Sequence, residues 1–504
     1  MTSNSENRAF TNWSVQLAFA VSLFWLAFAQ VLIAVQKSYW EDEAGTADII
    51  QGHWGNLIYA DAKVHPPLYY MLAYVWSLIF GHSEIGLRSM SIICALLAAL
   101  LCTTVVRQVW GITTGAIFLI LLALSPLWLI YAPNARYYSL ATAEIAAMAL
   151  CALRFVRSGQ RNWMILYAIA GAMSLYTVYL AVTAHLAIWV CMLLWWVKNR
   201  RAGTTIVPWL LANVAIALAF LPWMSVFVNA LAIQTQVERT LPGMLRNIVI
   251  HVGYTLYAFT VGEAFSPLNP VTWLGMVCLF GLSIYGFINP LNRPKRLLVF
   301  GLLVGGILLA VTIMLGVGRP TNPAPNRLLF LLVTFLAWVA ACINILPLRP
   351  RLLATGVMML VSLHGQANYF QNRELLKPLL AVPWKELMAE IKQNPNPTKV
   401  AIICNEGDYA CPYYVRDIGY PLIQPSEWPE IAQNNYTDVW LIFSNVTTVP
   451  PNSNENLLKS IRQRYPIESR RNLAAQDSLV INFKQRFMSG DIYKHRVNVW
   501  HFSQ

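Results

Sequence analysis

The chain opens with the stretch Ala9–Gln36, AFTNWSVQLAFAVSLFWLAFAQVLIAVQ, which contains no charged residue. A helix of about 20 apolar residues is long enough to cross a bilayer. The stretch exceeds the roughly 7–15-residue core of a cleaved signal peptide, and Arg8 is the basic residue that precedes it. We therefore predict an uncleaved first membrane span.

Acidic residues are concentrated just after this span. Six of the ten in positions 1–370 lie there: Glu41, Asp42, Glu43, Asp48, Asp61 and Glu84. Carboxylates are costly near hydrocarbon, so such a cluster needs water, cations or a reaction. A solvated loop is the simple alternative, but the order Trp40–Glu43 followed by His65–Tyr70 favours a catalytic role for the segment 37–87.

The composition of the 504-residue chain is that of a polytopic membrane protein. Hydrophobic residues make up 57% and charged residues 12%, against about 25% charged in soluble proteins. Residues 1–370 hold 31 charged residues and the much shorter 371–504 hold 28, which predicts a membrane domain followed by a soluble one. The net charge of +13 arises largely in short loops, as orientation signals do, so we expect no nucleic-acid binding.

Hydropathy predicts about eleven spans, within a range of about 10–13. Basic loops fall on one side, which positive-inside makes cytoplasmic. The segment 37–87 and the tail then face outward, and the apolar stretches 66–81 and 248–261 are predicted to be helices at the outer interface. The predicted spans are 14–36, 88–107, 112–132, 137–156, 163–180, 181–197, 206–229, 271–290, 297–316, 327–346 and 352–369.

The tail alternates between apolar and amphipathic segments, which predicts a small α/β domain. Cys404 and Cys411 can form a disulfide if the tail faces an oxidising compartment. The other six cysteines fall in apolar stretches and are interpreted as packing residues. Predicted strands are 399–404, 438–443 and 478–483, and predicted helices are 409–418 and 455–464.

Several polar residues have side chains suited to chemistry at the outer face. Asp42 or Glu43, at the exit of the first span, can serve as a general base. Arg136 lies in an aromatic loop between two spans, where neighbouring rings can shape a ligand slot. Arg319 lies in a Gly- and Pro-rich loop and suits phosphate binding or charge pairing equally. Glu144, within a span, is functional or forms a helix–helix hydrogen bond.

Three motifs together carry a resemblance to a known family. They are Asp42-Glu43 after the first span, His65-Pro66-Pro67-Leu68-Tyr69-Tyr70 in the outer loop, and Phe80–Arg88 leading into the second span. This pattern resembles the polyprenyl-phosphate-sugar-dependent glycosyltransferases of the GT-C fold. It is similar to the protein mannosyltransferases and the lipid A aminoarabinose transferases. The likeness covers about residues 14–370 and is strongest in 40–140.

The resemblance implies a GT-C membrane fold and roles for particular residues. Asp42 is expected to act as base, with Glu43 beside it. This chain departs from the family at Ala44-Gly45-Thr46 and at Lys63-Val64-His65, where Asp61 is the candidate for a missing acid. The expected donor-phosphate ligands are Arg136, His65, Lys63 and Arg319, and the expected substrate-binding residues are Tyr69, Tyr70, Tyr137 and Asp61.

The expected function is transfer of a sugar, with inversion, from a polyprenyl-phosphate carrier to a lipid, glycan or protein acceptor. No cofactor is expected, although some members of the superfamily use a divalent metal, and the expected location is the bacterial inner membrane. A transporter, a lipid-linked polysaccharide polymerase or ligase, and a non-catalytic scaffold are the alternatives. We see no internal repeat of the kind that transporters contain.

Overall fold

The structure is a computed structural model. It describes residues 2–52, 57, 65–199, 205–234, 241–316, 323–394, 396–405, 407–431, 436–444, 451–473 and 497–503.

Helices dominate the first 370 residues. Residues Leu221–Trp223 and Pro325–Leu328 form short 3-10 turns between them. The α-helices are α1 (Thr2–Gln36), α2 (Glu41–Ile50), α3 (Leu68–Phe80), α4 (Glu84–Trp110), α5 (Ile112–Leu124), α6 (Pro126–Tyr131), α7 (Tyr138–Ser158), α8 (Asn162–Thr177), α9 (Ala181–Asn199), α10 (Val207–Phe220), α11 (Met224–Gln234), α12 (Leu241–Val261), α13 (Pro270–Ile288), α14 (Arg293–Gly316), α15 (Leu329–Asn344) and α16 (Leu348–Phe370).

Every predicted span overlaps helix in the described residues. Eight helical stretches there are long and apolar enough to cross a membrane. The other three predicted spans fall on α5, α8 and α16, of which α5 has 13 residues and α8 has 16. Side chains such as Phe280 and Leu353, each 69% exposed, give the helices the apolar outer surface that lipid requires. The predicted polytopic membrane fold is confirmed.

The chain divides into two compact units. The membrane unit comprises residues 1–33, 52–263 and 269–367, and the C-terminal unit comprises 34–51, 264–268 and 368–504. The acidic helix α2 therefore packs with the C-terminal unit, although it follows the first span in sequence. Chain order alone does not show that residues 34–51 belong with the C-terminal unit. The division predicted at residue 370 therefore places this segment in the membrane domain.

The centre of the membrane unit is formed by α15 and by the segment that includes α5 and α6. In α15 and the turn before it, 83% of the most apolar 18-residue stretch is buried. Residues from 114 to 146 are also buried almost throughout. Ser125 begins α6 by accepting a hydrogen bond from the Trp128 N–H, and Pro126 occupies the first helical position, an arrangement favoured at helix starts. The buried segment leads directly into the loop that carries Arg136.

The C-terminal unit contains a mixed sheet. In its described part the sheet has five strands in the order β2-β1-β3-β5-β4, with β1 parallel to both neighbours and β5 antiparallel to both. Its core includes Ile403, Leu441, Trp428 and Ile461. The elements are α17 (Trp384–Ile391), β1 (Val400–Cys404), α18 (Ala410–Ile418), β2 (Leu422–Ile423), α19 (Trp428–Ile431), β3 (Asp438–Ser444), α20 (Pro451–Arg464), β4 (Ile467–Asn472) and β5 (Val497–Ser503).

Four of the five elements predicted in the tail are present. They are the strands now numbered β1 and β3 and the helices α18 and α20. The fifth, the strand predicted at 478–483, lies outside the described residues. Cys404 and Cys411 form a disulfide, which joins the end of β1 to the first turn of α18.

Candidate active site

Arg136 is buried in the membrane unit with only 7% of its surface exposed. Its Nη1 donates a hydrogen bond to the Tyr70 hydroxyl at 3.1 Å. The guanidinium carbon also lies 6.0 Å from the centre of the Tyr70 ring and 5.8 Å from that of Tyr137, distances at which cation–π attraction contributes. The positive charge is thereby held in place in the interior of the unit.

His65 joins the same group of side chains. Its ring centre lies 4.7 Å from that of Tyr137, and both residues are buried. Tyr69 packs edge-on to Tyr70 at 6.0 Å, and its hydroxyl is 3.1 Å from the Ser91 Oγ. Five sequence-predicted site residues thus form one cluster, the arginine cluster: His65, Tyr69, Tyr70, Arg136 and Tyr137.

Glu263 is a buried carboxylate that the sequence analysis did not include in the site. It accepts a hydrogen bond from the Tyr254 hydroxyl at 2.7 Å and another from the Tyr131 hydroxyl. Tyr131 belongs to α6, which leads into the Arg136 loop. A buried carboxylate in a mostly apolar membrane chain is itself a signal of function. His251, which lies in α12 and precedes Glu263, makes the same segment unusually polar.

Gly262 explains how Glu263 reaches α6. Its φ is +84°, and a Cβ at this position would lie 2.6 Å from the Pro126 Cβ. Only glycine combines this conformation with so close an approach. The end of α12 therefore rests directly on the start of α6. At the other end of the loop, the Asn326 amide donates to the Tyr138 hydroxyl at 2.7 Å, so the Arg136 loop is held from two sides.

Asp42 and Glu43 lie in the first turn of α2, in the C-terminal unit. Asp42 is half-buried, whereas Glu43 is fully buried, with its Oε2 accepting from the Trp40 N–H at 3.4 Å. Carboxylates are favoured in a first turn because they face the positive end of the helix dipole. Glu43 thus closes the start of α2, and Asp42 is the more exposed carboxylate of the pair.

Lys37, in the same unit, interacts with the end of α16. Its Nζ donates to the Tyr369 carbonyl oxygen at 3.1 Å and to the Asn372 side chain. A cation at a helix C-terminus compensates the negative end of the dipole. Burial lowers the pKa of Lys37 to about 8. We assign Lys37 a structural role.

Two further ionisable residues of the membrane unit have structural partners. Arg88 is 2% exposed, and its Nη1 lies 3.4 Å from the Ile33 carbonyl oxygen. Glu144 accepts a hydrogen bond from the Thr177 hydroxyl at 3.0 Å, which is the helix–helix hydrogen bond considered from the sequence.

Lys63, Asp61 and Arg319 lie outside the described residues, so their predicted roles stay predictions. Within the described ranges, no group of three or more His, Cys, Asp or Glu side chains suits a metal ion.

Known proteins resemble this chain in sequence and in fold. A family model described as dolichyl-phosphate-mannose-protein mannosyltransferase matches residues 64–225. The crystal structure of ArnT from Cupriavidus metallidurans in the apo state is 16% identical, with a TM-score of 0.54 over 98% of both chains. The same protein bound to undecaprenyl phosphate is 14% identical, with a TM-score of 0.56 over 97% of this chain and 98% of that chain. Comparison with curated protein sequences finds no match.

These similarities confirm the resemblance stated from the sequence. The chain has the GT-C membrane fold, and the matched segment 64–225 contains the whole arginine cluster. At 16% and 14% identity, the structural likeness shows the fold alone.

Proposed function

We propose that this protein is an integral membrane glycosyltransferase that moves a sugar from a polyprenyl-phosphate carrier to an extracytoplasmic acceptor. The observation that carries the proposal is the arginine cluster, a buried guanidinium among tyrosines within a GT-C fold. Arginine keeps its charge in proteins and binds phosphate well. In the similar ArnT structure the bound molecule is undecaprenyl phosphate, a ligand of the class proposed here.

The proposed reaction is a single displacement at the anomeric carbon. The acceptor oxygen forms the new bond as the bond from that carbon to the carrier phosphate breaks, and the phosphate leaves with the electron pair. A carboxylate, proposed to be Asp42, takes the acceptor proton. Attack opposite the leaving group inverts the configuration, and the sugar carbon gains oxocarbenium character on the way.

The donor site is proposed to use basic and aromatic side chains. Arg136 and His65, with Lys63 and Arg319, would stabilise the negative charge on the departing phosphate, which is where charge develops in this transition state. Tyr69, Tyr70 and Tyr137, with Asp61, are proposed to contact the substrate. Glu43 remains a candidate at the reaction centre, although its contact with Trp40 N–H favours a role in holding α2.

The proposed location is the bacterial inner membrane, with the C-terminal domain outside the cytoplasm. We propose residues 1–370 as the catalytic membrane domain in chain order and 371–504 as the extracytoplasmic domain. The Cys404–Cys411 disulfide supports this orientation, because disulfides persist in oxidising compartments. The polyprenyl tail, as a partner of the spans, gives a physical reason for the enzyme to be embedded in lipid.

The proposal is tested by offering the purified protein a panel of polyprenyl-phosphate sugars together with lipid A-like, glycan and peptide acceptors. Release of polyprenyl phosphate is followed, and the anomeric configuration of the product is read by NMR. We expect release that depends on an acceptor and a product of inverted configuration. A product of retained configuration would contradict the single displacement. Failure to bind or turn over any carrier would overturn the donor assignment and return transport to consideration.

A further inference from the structure

The acidic helix α2 is attached to α18 through Glu41. The Glu41 carboxyl accepts a hydrogen bond from the Tyr409 N–H at 2.7 Å and a longer one from the Ala410 N–H at 3.4 Å. The Asp408 side chain is an electrostatic neighbour of the same carboxyl. These partners are 367 to 369 positions further along the sequence, so the contact joins two distant parts of the chain.

The partners of Glu41 lie within a loop that the disulfide closes. Cys404 and Cys411 are both buried, and the bond between them encloses Asp408, Tyr409 and Ala410. Asp408 Oδ1 accepts from the Ala410 N–H at 3.1 Å and the Cys411 N–H at 3.4 Å, which caps α18. The loop therefore presents its N–H groups in a fixed arrangement, since a crosslink limits the conformations of so short a segment.

Further contacts hold α2 along its length. Before the helix, the Tyr39 N–H donates to the Tyr414 hydroxyl at 2.6 Å. In its middle, Gly45 faces the Tyr409 ring, where an added Cβ would lie 3.5 Å away. Toward its end, Asp48 pairs with Arg416 at 2.6 Å. Among these contacts, those of Glu41 bear most directly on the proposed base, because Glu41 immediately precedes Asp42 in the sequence.

We infer that Glu41 is a positioning residue: its hydrogen bonds to the disulfide-closed loop fix the first turn of α2 and thereby the position of Asp42. This inference rests on the proposed function, in which Asp42 is the base. Glu41 and Asp42 share one helical turn, so a rotation of that turn moves both. A displacement of a reacting group by about 1 Å can cost on the order of 10²-fold in rate.

The test compares four variants of the full-length enzyme in lipid nanodiscs: Glu41→Ala, Glu41→Gln, the double variant Cys404→Ser with Cys411→Ser, and Glu430→Gln. Glutamine keeps an acceptor oxygen for the Tyr409 N–H. Glu430 is an exposed carboxylate of the same unit and serves as the matched control. Each variant is measured for kcat, for the donor KM and for hydrogen exchange of the 41–50 segment.

We expect Glu41→Ala to lower kcat by roughly 10- to 100-fold with little change in donor KM, because the base is displaced while the donor site is intact. Exchange in 41–50 rises, and exchange in β1, β3 and β5 stays as in the wild type. Glu41→Gln is expected to keep kcat and exchange in 41–50 close to the wild-type values. The double variant Cys404→Ser with Cys411→Ser shows part of the loss in kcat. Glu430→Gln matches the wild type.

Wild-type kcat and exchange in Glu41→Ala would overturn the inference. A rise in exchange spread over all strands of the sheet would also overturn it, because Glu41 would then stabilise the whole unit rather than position one turn. Asp42→Asn is measured in parallel. If that variant keeps full activity, the assignment of the base fails, whereas the attachment of α2 is still judged by exchange in 41–50.

Discussion

In the membrane unit, Arg136 lies among aromatic side chains, whereas in the C-terminal unit Glu41 lies against backbone N–H groups. Arg136 keeps its charge when buried, because a guanidinium is not deprotonated in proteins. Glu41 loses its charge, because burial and the neighbouring Asp408 raise its pKa to about 10. Arg136 therefore remains a cation that can bind an anion, whereas Glu41 becomes a neutral attachment point because burial and Asp408 outweigh the effect of its N–H donors.

This difference separates residues that contact ligand from residues that hold the fold. A buried charge that cannot be neutralised is costly, so its retention requires a structural partner, a ligand or a reaction. A carboxyl that takes up a proton has no such requirement. We therefore assign ligand binding to the arginine cluster and positioning to the contacts around Glu41.

In the membrane unit, the largest effect is expected for Arg136→Ala, which removes the buried cation. If it stabilises the departing phosphate, kcat/KM for the donor falls by about 10²–10³-fold. Arg136→Lys restores little, since an ammonium has neither the planar shape nor the stacking of a guanidinium. Steady-state transfer assays and undecaprenyl phosphate binding check this. Full activity in Arg136→Lys would mean that charge alone suffices.

A second effect concerns the support of the Arg136 loop. Glu263→Ala leaves the Tyr131 hydroxyl without its carboxylate acceptor in a buried site, which costs about 1–3 kcal/mol, whereas Glu263→Gln keeps an acceptor oxygen. Gly262→Ala is expected to cost at least about 1 kcal/mol because of its positive φ. The measurement is thermal unfolding.

The control for Gly262→Ala is Gly281→Ala in α13, where an added Cβ meets nothing within 4 Å. That helical substitution is expected to be neutral or slightly stabilising. Equal unfolding temperatures in the Gly262 and Gly281 variants would remove the argument that α12 has to rest on α6.

The stability of the protein is expected to depend on pH through Glu41. Because the pKa of Glu41 in the folded protein is about 10, well above its usual value of 4.5, its contribution to stability is complete below the usual value. That contribution is lost as pH rises toward 10. Unfolding temperature should therefore fall from about pH 5 to pH 10 in the wild type and change less in Glu41→Gln.

Other charged groups around Glu41 also influence how the unfolding temperature depends on pH. Asp42, Glu43 and Asp48 share its helix, and Asp408 and Arg416 belong to the opposing segment. Asp408→Asn removes the neighbouring negative charge and is expected to reduce the slope of unfolding temperature against pH. An unchanged slope in both Glu41→Gln and Asp408→Asn would show that another group is titrating.

The smallest effect is expected for Asp48→Asn. The Arg416–Asp48 pair has side chains that are 50% and 35% exposed, and exposed ion pairs contribute about 0–1 kcal/mol. Unfolding temperature and kcat should both stay close to the wild type. A loss of activity as large as that of Glu41→Ala would mean that the two ends of α2 are equally important, and the special position of Glu41 would be lost.

The membrane helices and two of the five described strands were predictable because their signals are local. Long uncharged runs predicted the spans, and apolar runs predicted β1 and β3. The edge strand β4, Ile467–Asn472, has every residue exposed and contains Glu468, Arg470 and Arg471. Such a strand is defined by its pairing with β5 rather than by its own pattern, so no local signal predicted it.

The candidate site was predictable to a similar extent. Polar residues stand out against apolar surroundings, which identified Arg136, His65 and the tyrosines of the arginine cluster. The partners of Glu41 and Glu263 are long-range: Glu263 meets Tyr131 across 132 positions. One sequence without its fold contains no information on such pairs, so the two attachment contacts became evident only in the structure.

The most direct test of Asp42 as the base is the turnover number of Asp42→Asn with a polyprenyl-phosphate sugar that the wild type uses. Affinity for undecaprenyl phosphate is measured on the same preparation, and Glu430→Gln is the control. If Asp42 is the base, kcat falls by about 10²–10⁴-fold, the usual contribution of a general base, while carrier affinity and monodispersity stay unchanged. Wild-type turnover in Asp42→Asn would contradict this assignment and remove this carboxylate from the chemistry.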